Sequence, residues 1–289
     1  MNNLVSSAML IFILGCSVNP KKGERNFIKD NAVEVNDSAL PPHILKQLAK
    51  KKIILLGENH GTKEVPEYTK QLINELAQNS RVILGLEFPM EAQAAIDDFV
   101  STGDYQALKK MRFFTDSQQH SGRASKAMIE FINDLRRNKN ITFFCYDVPM
   151  DYSGKNRDTE MAKNILEKLN TNRNLFITLT GNLHSRLEPG VPWDPNYPTM
   201  GSEILKMSDQ HSLDNTTNIL FRHSQGSAWQ CRQETDESIK CDSYKFEPSK
   251  SPYATQTNFA KYFLKEKQID HGHYNTVFIR NISSSKPIF

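Results

Sequence analysis

Four short apolar runs in the chain each lead into groups that can carry a proton or a charge. Ile53–Leu56 runs into Gly57-Glu58-Asn59-His60-Gly61, and Val82–Leu86 into Glu87-Phe88-Pro89. Ile141–Tyr146 runs into Asp147-Val148-Pro149, and Leu175–Leu179 into Gly181-Asn182-Leu183-His184-Ser185. Glu58 and Glu87 abut segments apolar enough to be buried, so they cannot both be well solvated. One carboxyl is expected to have a raised pKa while the other stays ionised, which yields an acid and a base from one residue type. His60 and His184 add imidazoles that titrate near neutrality. A neutral imidazole held by a carboxylate can take a proton from water. Gly57, Gly61 and Gly181 would let backbone approach a ligand closely.

These groups meet only if the runs lie side by side and point the same way. Their continuous apolarity suits strands buried on both faces. Between them lie stretches with helical spacing, at Glu64–Gln78, Ser125–Arg137 and Asp158–Leu169. The alternation predicts an α/β fold, a mostly parallel helix-covered sheet whose ligands bind beyond the carboxyl ends of its strands. The interval between Glu87 and Ile141 exceeds one crossover helix, so a helical sub-lobe or lid is expected over about residues 89–137.

With 289 residues, 38% apolar and 24% charged, the chain can build one large domain. Lys plus Arg number 36 against 33 for Asp plus Glu. That balance lacks the basic excess of a phosphate-tracking surface, so nucleic acid is not an expected partner. No run is long enough to span a bilayer. Leu4–Gly15 has the length of an export signal, and Ile13-Leu14-Gly15-Cys16 has the form of a bacterial lipobox with Cys16 as the lipidated residue. This implies export to a periplasm or cell envelope, with membrane contact through a lipid anchor alone. Only Asn2 and Asn3 precede the run, and an N-terminal helix packed on the domain is the alternative. Residues 17–42 read as a tether and 43–289 as the domain. Cys231 and Cys241 flank a polar stretch that suits a hairpin closed by a disulfide, with Trp229 beside it. Cys145, inside an apolar run, reads as a buried small hydrophobe.

GENHG after the first run, GLEFP after the second, NRDTEMA opening a helix, and TGNLHSR followed by GVPWDP resemble, in that order, the erythromycin-esterase, ChaN and Tiki superfamily over Ile53–Pro195. The resemblance implies an α/β fold with a site built from Glu58, His60, Glu87, Arg157 and His184. Esterase-like members imply that His60 activates water, with the carboxylates orienting it. His184 and Arg157 then contact a small-molecule substrate, and Asp147, Trp193 and Tyr197 lie near it. Arg157, at a helix N-terminus where the dipole opposes it, either pairs with Glu58 or Glu87 or holds an anionic group. ChaN-like members imply a lipoprotein that binds haem without turnover, whose axial ligand and apolar slot would come from Trp193, Tyr197 and Met200 of one loop and His120, His223, His271 and His273 of others. Tiki-type members imply a metal-dependent peptidase, in which His60, His184 and a Glu hold a divalent metal and leave a position for water. Hydrolysis of an ester or related bond is the leading expectation.

Overall fold

Strands with no polar face need helices on both sides, and the sequence supplies them. The computed structural model of the protein describes residues 22–35, 39–116, 122–170, 174–233, 239–248, 251–270 and 272–289. The run Leu4–Gly15, Cys16, His120 and His271 lie outside these described residues. In chain order the strands are β1 (Val33–Glu34), β2 (Ile53–Glu58), β3 (Val82–Pro89), β4 (Ile141–Asp147), β5 (Leu175–Gly181), β6 (Thr216–Gln233), β7 (Ile239–Phe246), β8 (Lys261–Asp270) and β9 (His273–Ile282). The helices are α1 (Lys22–Asn31), α2 (Pro42–Leu48), α3 (Glu64–Ala77), α4 (Gln93–Thr102), α5 (Gln106–Lys109), α6 (Arg112–Thr115), α7 (Lys126–Leu135), α8 (Arg157–Asn170), α9 (Met200–Met207) and α10 (Pro252–Thr255).

One sheet runs β1-β8-β9-β6-β2-β5-β3-β4, with β7 added along β6. The strands from β9 to β4 are parallel, and β8 and β7 pair antiparallel with their neighbours. The mostly parallel, helix-covered sheet read from the sequence is therefore present. Registers bring the strand exits level: Glu58 faces Gly181, and Pro89 faces Asp147. β4 is the outermost of the four apolar strands, so it departs from burial on both faces. Thr142 is exposed, and Phe144 lies under the Lys168 ammonium, 5.1 Å from the ring centroid.

The period of two in β2 divides the core. Ile54 and Leu56 join a cluster with Leu72 and Ile73 of α3, Ile129 and Ile132 of α7, and the residues between β3 and α7. Ile53 and Leu55 join Met161 and Ile165 of α8 and Met200 and Ile204 of α9. The helical sub-lobe is not a detached lid: Ile96, Phe99, Leu108, Phe113 and Phe114 are buried in the same cluster as β3 and β4. The tether reading of 17–42 also needs correction from residue 22 onward. α1 buries Ile28 against Tyr262 and Phe278, and β1 pairs with β8. So few apolar anchors leave no period to read.

β6 is longer than a core strand needs. It pairs with β9 as far as Gly226, then continues as a hairpin with β7. Gly226 has φ +125°, and a Cβ there would fall 1.8 Å from the Ile282 carbonyl oxygen, so this bend requires glycine. Beyond it Cys231 and Cys241 sit directly opposite and form the disulfide, while Cys145 is buried with its thiol pushed up by that burial. A loop this short gives a staple of about 2–3 kcal/mol. Reducing the disulfide should therefore speed amide exchange in 226–233 and 239–246, and unchanged exchange there would show that the staple is redundant.

Candidate active site

His60 leaves β2 between two buried carboxylates. Its Nδ1 lies 2.9 Å from Glu58 Oε1, and its Nε2 lies 3.4 Å from Glu87 Oε2. Glu58 and Glu87 end adjacent apolar runs and are 2% and 4% exposed, so neither is solvated by bulk water. Burial pushes the Glu58 carboxyl above its usual range, against the pull of His60. Its Oε2 is buried with no hydrogen-bond partner. Glu87 goes the other way: burial opposes ionisation, but His60, His184 and Arg157 together hold it well below the usual carboxylate range. The expectation of one raised and one ionised carboxyl thus has its members assigned.

Donors hold Glu87 from every side. Oε2 accepts from Thr180 Oγ1 at 2.7 Å and from the Gly181 N–H at 2.7 Å, while Oε1 accepts from Arg157 Nη2 at 2.9 Å. Arg157, at the start of α8, also forks onto Asp147, Nε to Oδ1 at 2.9 Å and Nη2 to Oδ2 at 2.8 Å. Of the two roles considered for Arg157, the structure gives it the pairing role, with Glu87 rather than Glu58. Asp147 is spent on Arg157 and on Arg123, whose Nη1 donates to Asp147 Oδ2. These two residues brace the carboxylate Glu87 from behind.

Burial costs the His60 imidazolium, but Glu87 and Glu58 outweigh that cost and lift its pKa from 6.5 to about 9. At neutral pH the ring therefore holds a proton. This corrects the picture of a neutral imidazole waiting beside water, because the second carboxylate that stabilises the proton comes from a different strand.

His184 sits opposite. Its Nδ1 lies 2.7 Å from Asp158 Oδ1 and its Nε2 lies 3.1 Å from Arg157 Nη1. A guanidinium only donates, so Nε2 is the acceptor and Nδ1 carries the hydrogen. Asp158 Oδ1 also accepts from the Met200 N–H at 2.8 Å, and Oδ2 accepts from Tyr197 Oη–H at 3.0 Å. Burial opposes the Asp158 charge, yet the His184 ring, Arg157 and the Met200 N–H hold its pKa below the usual value.

Asp158 and Arg123 escaped the sequence reading. An acid in the first turn of a helix is ordinary, and Arg123 lies in a polar loop; only the Arg-Asp pair opening NRDTEMA offered a signal.

A Cβ on Gly181 would lie 3.1 Å from His184 Cδ2, 3.3 Å from His60 Nε2 and 3.7 Å from Glu87 Oε2. Gly181 thus keeps open the space on which both imidazoles converge. Gly57 and Gly61 do not serve a ligand: their Cβ positions are taken by Ser185 and by the Trp229 backbone. Beside His60, Glu87 and Arg123 is a cavity of about 10 Å³, also lined by Leu86, Phe88, Met128 and Leu179. That is room for a single water molecule. Gly181→Ala should fold normally but lose at least about 10²-fold in turnover, since displacement of reacting groups by about 1 Å costs that much. Wild-type activity in this variant would show that the reaction does not occur above Gly181.

The other predicted residues separate. Trp193 is 46% exposed, while Tyr197 faces Asp158. Burial and Asp158 raise the Tyr197 phenol, which keeps it a donor. Three of the described residues considered for haem are already packed or hydrogen-bonded. Met200 is fully buried, His223 Nε2 lies 3.0 Å from Asn59 Nδ2, and His273 Nε2 lies 3.1 Å from both Ser185 Oγ and the Asn182 carbonyl. Burial and Arg222 lower the His223 pKa to about 4, which marks a neutral packed ring tilted against Phe246. A metal fits no better. Both Glu87 oxygens accept from N–H or O–H donors, and Arg157 occupies the ground between the carboxylates and His184. Among the described residues no three His, Cys, Asp or Glu are arranged to hold an ion.

Fold and site together define an α/β protein with a carboxylate–imidazole cluster at the carboxyl edge of its sheet, folded like the erythromycin esterases. Residues 44–155 match the family model described as haem-binding uptake, Tiki superfamily, ChaN, which bears out the resemblance read from the motifs. The match takes in Glu58, His60, Glu87 and Asp147 and ends before Arg157 and His184. Among solved structures, a succinoglycan biosynthesis protein superposes with TM-score 0.69 at 10% identity, covering 92% of this chain and 98% of that one. An erythromycin esterase mutant in its open conformation superposes with TM-score 0.64 at 11% identity, over 86% and 95%. A Bacillus cereus protein does so with TM-score 0.63 at 12% identity, over 93% and 100%. At such identities the likeness is one of fold. No curated protein matches the sequence.

Proposed function

We propose that the protein is a hydrolase that splits an ester or related bond in a small molecule with water activated at His60. One observation carries the reading: an imidazole fixed at Nδ1 by Glu58 presents Nε2 beside ionised Glu87 and a water-sized cavity. His60 takes the water proton at Nε2, Glu58 steadies the imidazolium, and Glu87 orients the nucleophile. The same imidazolium then returns its proton to the leaving oxygen. His184, its Nε2 held by Arg157 Nη1, lines the space above Gly181 through the edge of its ring at Cδ2. The fold shared with an erythromycin esterase supports this reading. We also propose that the chain is exported and anchored through lipidated Cys16, on the strength of the run that precedes it.

A base that rests protonated makes the reaction alkaline-dependent. With His60 titrating at about 9, kcat/KM on a panel of esters should climb about tenfold per pH unit from neutrality and level off above that value. Glu58→Gln removes one of the charges that hold the proton, so the rise should move to lower pH. A profile flat from neutrality upward in the native protein would rule out His60 as the base.

A further inference from the structure

We propose that the β6–β7 hairpin is a positioning element for His60 and that its Cys231–Cys241 disulfide makes turnover depend on redox state; the effect on turnover rests on the hydrolytic reading. Beyond Gly226 the two strands pair only with each other among the described residues. Cys231 and Cys241, both half-buried, join them two residues past Trp229. The Trp229 N–H donates to the Gly61 carbonyl at 2.9 Å, on the residue that follows His60. Gly61 and Gly122 have φ +80° and +88°, and the Trp229 carbonyl oxygen stands where a Cβ on either would fall. A Cβ on Gly122 would also lie 2.7 Å from Gly61 Cα. The Trp229 main chain is therefore wedged against the two loops that carry His60 and Arg123, both of which line the water-sized cavity.

The Gly61 carbonyl has a second donor, the Ser285 N–H at 2.8 Å. The segment that supplies it is held from two sides. Ala127 N–H of α7 donates to Ser285 Oγ at 2.9 Å. Ser243 Oγ–H of the hairpin donates to Ser284 Oγ at 2.6 Å, and the Ser284 N–H donates to Ser227 Oγ at 3.1 Å. Loosening the hairpin thus removes one donor to Gly61, the wedge between the two loops and part of the support of the other donor. α7 still tethers the loop, which pivots rather than unfolds. A two-stranded hairpin is marginal in water by itself, so its outer part depends on the cross-link. A small dithiol supplies the reductant: two electrons and two protons pass to the sulfurs of Cys231 and Cys241, their S–S bond becomes two thiols, and the reagent closes its own disulfide.

The test is dithiothreitol treatment of the folded full chain, read by amide exchange, by nitrogen NMR of labelled histidine rings and by kcat on an ester panel. In the reduced protein the Trp229 N–H should exchange at least about tenfold faster, the His60 ring signals should leave their oxidised positions, and kcat should fall about tenfold. Reoxidation should restore all three. Cys231→Ser combined with Cys241→Ser should match the reduced protein and ignore dithiothreitol, which assigns the response to this disulfide. Native His60 signals in the reduced protein would overturn the proposal even where the hairpin exchanges faster, because the staple would then serve the hairpin alone. A double-serine variant that still responds to dithiothreitol would overturn it too. If no ester is turned over in either state, the hydrolytic reading fails while the His60 signals still decide whether the hairpin holds the loop.

Discussion

His60→Gln should remove about 10²–10⁴-fold of kcat/KM, the usual contribution of a positioned base, and with it the alkaline rise. The amide preserves much of the volume between Glu58 and Glu87 but cannot take a proton from water. The variant also carries a stability signature. In the native protein the folded pKa of about 9 lies above the unperturbed 6.5. The proton on His60 therefore contributes stability in full below pH 6.5, and that contribution is lost as pH rises through about 9. Thermal midpoints of the native protein should fall across that window while activity climbs, and in His60→Gln both slopes should flatten. Turnover within about tenfold of native would remove His60 from the chemistry, since even the weakest such bases contribute more.

Glu87→Ala should be the most destabilising change at the site. It strips an ionised acceptor from Arg157, Thr180, the Gly181 N–H and His60 at once and leaves Arg157 with Asp147 as its one remaining carboxylate beside the neutral His184 Nε2. Breaking a buried pair from one side costs about 3–5 kcal/mol. For a chain of this size that lowers the thermal midpoint by about 5–8 °C. Because its folded pKa is depressed, the Glu87 contribution is present above the unperturbed 4.5 and is lost as pH falls through the lower folded value. Acid unfolding should accordingly be gentler in the variant than in the native protein. Glu87→Gln keeps the oxygen for Thr180 and Gly181, so it should lose less stability while still shifting the alkaline rise downward. A Glu87→Ala protein as stable as native would mean that the network is ornamental.

The strands could be read because a segment buried on both faces is almost wholly apolar: Ile53–Leu56 shows this plainly, and in Leu175–Leu179 the lone polar residue, Thr178, donates its hydroxyl to Tyr146 Oη. Their exits could be read because the alternating order leaves little choice but parallel neighbours. That placed Glu58, His60, Glu87, Asp147 and His184 at one edge before any coordinates. What stayed hidden depends on pairings across the sheet. The resting proton on His60 follows from Glu87 lying 3.4 Å away on another strand, a distance that no local pattern encodes. Arg157 fills the space between Glu87 and Asp147, so a residue that reads as an anion binder becomes a brace. Ile28 holds α1 against Tyr262 with too few companions to form a stripe.

The interleaving of β5 between β2 and β3 reaches beyond geometry. The segment 44–155 that matches the family model supplies β2, β3 and β4 but omits the strand that joins the first two. Severed after residue 155, β2 and β3 would each expose a raw edge along their whole length, an open template for self-association. The matched segment is thus no module that could stand by itself, because the strand that completes its sheet comes from the later part of the chain.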